Sequence, residues 1–150
     1  MSQDRRTALD EEDRELLSAC RVGHLATASR EAQPHVIPLC YAVLDDRTLV
    51  FAVDEKRKPA GRVLRRLHNL SENARFAFVV DRWDENWQRL TYVLIEGEGK
   101  PLEDRPRCVE AIRALRKRYP QYVKMGLEAE RHPVTELRID RVHRWSAAPS

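Results

Sequence analysis

The chain has no apolar run approaching the roughly 18 residues that a membrane-spanning helix needs. Its N-terminus mixes acids and bases and lacks the apolar stretch of a signal peptide. Both absences point to a cytoplasmic protein with no membrane partner. Cysteine is scarce: Cys20, Cys40 and Cys108 are odd in number, far apart and outside any C-x-x-C pair. They read as reduced core thiols rather than a disulfide framework. A surplus of one charge is missing as well, since 27 Lys and Arg face 24 Asp and Glu for a formal net charge of +3. A dedicated nucleic-acid binder would carry a one-sided basic excess. Catalytic signatures are equally sparse. The five histidines, His24, His35, His68, His132 and His143, show no metal-ligand spacing on one element. No G-x-G-x-x-G opens a helix, no serine nucleophile elbow appears, and no paired carboxylates stand out.

What is present is a globular composition, 42% hydrophobic and 34% charged over 150 residues. That length suits one domain, residues 1–150, whose core is sizeable but whose binding cleft calls for a second copy. Thr7 or Asp10 caps a first helix through Cys20, with acids in its first turn where the helix dipole favours them. Strand-like runs follow at Gly23–Ala28, Pro34–Leu44, Thr48–Val53, Arg75–Asp81 and Thr91–Lys100, read as a meander. Pro34 and Pro38 cannot donate to a ladder, so the second run belongs at a sheet edge, at a bulge or where ladder pairing stops. Pro106 opens a later helix through Tyr119, Pro120 ends it, and Gln121 to Pro133 reads as irregular. The alternating stretch Val134–Trp145 closes the sheet. The sum is a mainly β fold: an antiparallel barrel of about six strands with helices outside it.

The densest chemistry lies between the third and fourth strands. Asp54 to Leu70 packs six Lys or Arg into a short segment. Pro59 suits the first position of a helix, with Val63, Leu64, Leu67 and Leu70 on a buried face and Arg62, Arg65, Arg66 and Asn69 outside. Cations clustered at a helix start, beside its free N–H groups, make an anion site that a phosphate fits. The plain alternative is a solvated crossover helix. Between Asp81 and Leu90 a polar loop carries Trp83 and Trp87, which either cap a core edge or face a ligand.

Gly23-His24-Leu25-Ala26-Thr27, Gln33-Pro34-His35-Val36-Ile37-Pro38-Leu39, Asp54-Glu55-Lys56 with Arg65 to Leu70, the loop from Val80 to Leu90, and Glu96-Gly97-Glu98-Gly99 form an ordered set. Over residues 9 to 145 it resembles the pyridoxamine-phosphate-oxidase-like flavin and deazaflavin binders, which have the split β-barrel fold. Within them it is most similar to the subgroup that uses the deazaflavin coenzyme F420. The resemblance implies a homodimer with a cofactor groove at each end of the shared interface. The ring would lie along Pro34, His35, Val36, Ile37 and Pro38, and the phosphate would reach Lys56, Lys58, Arg62, Arg65 and Arg66. Asn69, Trp83 and Trp87 complete the implied set. Relatives commonly carry Lys where this chain has Arg66, which keeps the charge and adds a bidentate fork.

The implied activity is hydride transfer from reduced F420 to an electron-poor small organic acceptor, with His24 or His35 as a possible proton donor or as an ordinary structural histidine. FMN is the alternative cofactor, in an oxidase or a flavin carrier. Arg57 and Lys58 lean toward F420, because its acidic oligoglutamate tail wants bases beyond the first phosphate. A reading from another class is a non-enzymatic module for haem or another anion.

Overall fold

The computed structural model describes residues 5–54 and 63–148. Along them run α1 (Glu11–Ala19), β1 (Gly23–Ala28), β2 (Pro34–Leu39), β3 (Ala42–Asp45), β4 (Thr48–Ala52), α2 (Arg65–Glu72), β5 (Arg75–Arg82), β6 (Thr91–Pro101), α3 (Arg105–Arg118), α4 (Pro120–Lys124) and β7 (Val134–Ser146). A 3-10 turn, Trp87–Arg89, interrupts the β5–β6 connection. The strands form one antiparallel sheet in the order β2-β1-β5-β6-β7-β4-β3. The expected meander is therefore corrected. β1 and β2 form one hairpin, β3 and β4 another, and β5-β6-β7 is inserted between β1 and β4.

β2 and β3 sit at opposite edges of that order, yet only Cys40 and Tyr41 separate them. Laid flat, seven strands would hold the two edges about 29 Å apart at roughly 4.8 Å per spacing. The three peptide steps from Leu39 to Ala42 span at most about 11 Å. The sheet must curl until its edges approach, which gives the barrel. The sequence reading of Pro34–Leu44 as one strand is thereby corrected to two, raising about six strands to seven. Tyr41 sets the break: its ring is fully buried, its hydroxyl donates to the Leu17 and Cys20 carbonyls, and its backbone N–H donates to the Tyr119 hydroxyl.

Two apolar clusters divide the molecule. The first fills the barrel with inward residues of the strands, among them Leu25, Phe51, Phe78, Ile95 and Leu137, and is joined by Leu16 and Leu17 of α1 and Leu70 of α2. The second lies outside β3 and β4, where Val50 and Ala52 meet Ile112 and Leu115 of α3, Tyr122 of α4 and Leu127. β4 is thus buried at all five positions, and its unbroken run Thr-Leu-Val-Phe-Ala reflects cover on both faces. α3 ends with its C-cap Tyr119 directly before Pro120, as expected, and Pro120 also opens α4, since its ring suits a first helical position. Irregular chain begins only after Lys124.

α1 is fastened by charge. Asp10 caps it through the Asp13 N–H at 2.9 Å, and the fully buried Asp13 carboxylate accepts from Arg6 and, at 2.7 Å, from Arg144 of β7. At the other end Arg118 donates to the Leu17, Ser18 and Cys20 carbonyls. At the β6–β7 bulge Gly97 lies so close to the partner strand that a Cβ would stand 1.8 Å from the Arg138 carbonyl oxygen. No helix among the described residues is long and apolar enough to cross a membrane.

Candidate functional site

The site is built around α2. Lys56, Lys58 and Arg62, like Arg57 and Pro59, lie outside the described residues. The helix start expected at Pro59 lies outside the described residues; α2 itself begins at Arg65, after the extended N-cap Leu64 with φ −63° and ψ 140°. Val63, expected on the buried face, is 70% exposed. Arg65 and His68 face solvent, whereas Arg66 and Asn69, expected outside, turn inward with Leu70. The inward face is set by a bond that the sequence pattern does not reveal: the Asn69 amide N–H donates to the Thr27 hydroxyl at 3.0 Å, across 42 residues of chain.

Thr27 is an inward, buried residue of β1, and its partner across the ladder is His35 of β2. Side chains opposite one another on one face of a sheet are neighbours, so His35 and Asn69 flank the same threonine. One helical turn before Asn69, the Arg66 guanidinium carbon stands 5.6 Å from the centre of the Phe51 ring. Burial pulls the Arg66 pKa below its ordinary value, while the Asp54 carboxylate and Tyr122 push it back up. Three buried side-chain atoms of this region have no hydrogen-bond partner among the described residues: His35 Nδ1, Arg66 Nε and Asn69 Oδ1. Each such atom costs about 1–3 kcal/mol when left bare. All three belong to residues that the sequence assigns to cofactor binding.

Chemically the trio offers a cationic N–H donor at Arg66, an acceptor at Asn69 and an imidazole nitrogen at His35. Such a set suits an anionic group joined to a hydroxyl-bearing chain, and the phosphate and polyol of a flavin or deazaflavin fit it.

The structure divides the rest of the predicted set. Along β2, His35 and Ile37 point inward beside Thr27 and Leu25, while Pro34, Val36 and Pro38 are exposed on the opposite face. A ring lying against side chains of this strand meets one face or the other, never all five residues. His24 is exposed on the outer face with Pro38 opposite it. Trp83 and Trp87 are 64% and 68% exposed. Ala77, beside Thr27 through its Ala26 partner, lies six residues before Trp83, about 20 Å at the rise of a strand. Within one chain the tryptophans stand apart from the Thr27 pocket.

Thr27, Phe51 and Tyr122 were missing from the sequence-derived set. Thr27 carried a signal in the Gly23–Thr27 motif. Phe51 and Tyr122 carried none, since an inward strand aromatic and a tyrosine after a proline read equally well as packing.

Curated proteins yield no match to the sequence. Solved structures do. A conserved hypothetical protein from Mycobacterium tuberculosis superposes with a TM-score of 0.74 at 19% identity, covering 98% of this chain and 91% of its own. A FAD-binding protein from Mesorhizobium loti gives 0.67 at 22% identity, over 94% and 96% of the two chains. The haem storage protein from Vibrio cholerae gives 0.68 at 13%, over 92% and 94%. These likenesses establish a common fold. The family model described as pyridoxamine 5'-phosphate oxidase matches residues 9–146, which contain every strand and the whole of the α2 pocket. By that match and by its split barrel, this chain is a member of the pyridoxamine 5'-phosphate oxidase family.

Proposed function

We propose that the chain is an oxidoreductase that holds a phosphorylated flavin-type coenzyme against α2 and passes a hydride to an electron-poor small organic acceptor. F420 is the coenzyme favoured and FMN the alternative. The observation that carries this reading is that three buried polar atoms of residues assigned to the site, His35 Nδ1, Arg66 Nε and Asn69 Oδ1, have no hydrogen-bond partner among the described residues. Arg66 supplies charge to the phosphate, aided in sequence by Lys56, Lys58, Arg62 and Arg65. Asn69 is held by Thr27 so that its carbonyl oxygen faces the ligand. His35 holds or donates a proton from an inward position, which His24 does not share. The bound coenzyme supplies the hydride chemistry itself. Arg57 and Lys58 favour F420 by offering charge to its acidic tail.

A homodimer belongs to the same proposal. The outer face of β1, β2 and β5 presents Ala26, Val36, Ala77 and Val79, and α1 and α2 meet these strands from the inner side. Val36 is 64% exposed there. A second copy laid on this face would remove that surface from water. The name of the Vibrio cholerae relative supports a second reading, a haem binder without catalysis, in which His35 is the candidate axial ligand.

Side-by-side titration with F420, FMN and haem tests all three readings. Tight binding of F420 with weaker binding of FMN is expected. A Soret band that shifts on haem addition, with no affinity for either coenzyme, would overturn the proposal.

A further inference from the structure

Asn69 is 1% exposed, yet its amide is only half satisfied. An N–H on one side donates to Thr27 Oγ1 at 3.0 Å, while Oδ1 on the other meets no partner among the described residues. Thr27 is itself 5% exposed and is held in β1 by the ladder to β2, with His35 opposite it. An amide whose N–H is turned to a fixed hydroxyl presents an acceptor on its far side. One helical turn earlier, the bare atom of Arg66 is of the opposite kind, the N–H donor at Nε. Helix positions three apart are neighbours, about 5–6 Å between Cβ atoms. A ligand that satisfies both must therefore carry an acceptor and a hydrogen donor side by side.

We infer that the Thr27–Asn69 pair reads a hydroxyl of the ligand rather than its phosphate, with Thr27 as the positioning residue that turns the Asn69 carbonyl oxygen toward it. This deepens, and rests on, the coenzyme reading given above. Phosphate oxygens are acceptors and repel another acceptor, so they belong at Arg66. The hydroxyl-bearing chain that ends in the phosphate supplies the donor for Asn69. The ligand class is thus a phosphate ester of a polyol, as in FMN and F420. The ionised propionates of haem offer acceptors only and would leave Oδ1 bare in a buried place, which carries a cost.

The experiment titrates wild type, Thr27→Val and Thr27→Ser, as full chains, with FMN, riboflavin and lumiflavin, or with the deazaflavin counterparts where wild type binds those more tightly. Riboflavin lacks the phosphate, and lumiflavin lacks the whole hydroxyl-bearing chain. Valine keeps the shape and strand preference of threonine and removes only the hydroxyl. Thr27→Val is expected to bind FMN and riboflavin alike about three- to tenfold more weakly, the scale of one hydrogen bond, with lumiflavin unaffected and Thr27→Ser restoring both. Asn69→Ala is expected to show the same pattern, which keeps the test open if the valine variant fails to fold. Adding Thr27→Val to Asn69→Ala is expected to have no further effect. A loss confined to FMN would show the amide serving the phosphate. A loss that includes lumiflavin, or that persists without Asn69, would mark a merely structural threonine. Either result overturns the inference. A wild type that binds riboflavin no more tightly than lumiflavin also overturns it, while FMN against riboflavin still tests the phosphate at Arg66. A wild type that binds none of these ligands overturns the coenzyme reading itself, and the inference with it.

Discussion

The two flanks of the sheet solve one problem differently. On the β3–β4 flank the chain covers itself: Val50, Ala52 and Ala42 are sealed beneath α3 and α4, and all of β4 is buried. On the β1–β2 flank nothing among the described residues covers the outer face, and β2 alternates between exposed and half-buried along its whole length. The first flank is built like a finished core, the second like half of one. The α2 pocket lies on the inner side of the second flank, against Thr27 and His35. A barrel wall sealed on one side only can present polar atoms to a ligand that a closed core could not tolerate.

Breaking the covered flank should cost most. Leu115→Ala removes a fully buried side chain between α3 and β4 and is expected to lower unfolding free energy by about 2–5 kcal/mol, read by urea denaturation. The open flank answers differently. Val36→Asp places a charge on an already exposed site, so the stability of the isolated chain should barely change. Sedimentation should show dimers giving way to monomers, whereas a wild type that is monomeric at micromolar concentration would refute the open face as an interface between copies.

On the inner side of that flank, Arg66→Ala combined with Lys56→Ala should weaken coenzyme binding by more than about tenfold, or about 1.4 kcal/mol, while the barrel stays folded. Unchanged affinity by titration would remove Arg66 from the phosphate site. The smallest effect concerns pH. Burial acts to raise the Asp10 pKa, but the Arg144 hydrogen bond, the Asp13 N–H, and the charges of Arg6 and Arg144 bring it from 3.8 to about 2. Because the folded value lies below the unfolded one, the unfolded chain binds more protons between them. Asp10 therefore stabilises the fold above about pH 4, and its contribution fades as pH falls to about 2. An Asp10→Asn chain should show a shallower loss of thermal stability over that window.

What could be read in advance follows the range of the forces. β1 was legible to the residue, because a period-two pattern bounded by Gly23 is a local signal. Pro34 and Pro38 put β2 at an edge, because a missing N–H acts wherever it occurs. The division of Pro34–Leu44 was hidden, since Cys40 and Tyr41 are as apolar as their neighbours and the deciding bond comes from Tyr119, 78 residues away. Asn69 and Arg66 were named for the site but assigned to the wrong face, because helical periodicity sorts polar residues outward and cannot foresee a buried amide bonded to Thr27. The anion site was read from charge density, and Lys56, Lys58 and Arg62 of that cluster lie outside the described residues.

The two prolines of β2 have one more effect. In an antiparallel ladder the N–H and C=O of a residue point the same way, and alternate residues point to opposite sides. Pro34, Val36 and Pro38 share one side, and since proline has no N–H to give β1, that side is the free edge. The rim therefore shows three carbonyl oxygens and a single donor, the Val36 N–H. A further strand arriving there would find almost no hydrogen to accept, so the sheet cannot grow from chain to chain at this rim. The two prolines thus guard the free rim of β2 against strand addition and against fibre formation through that edge.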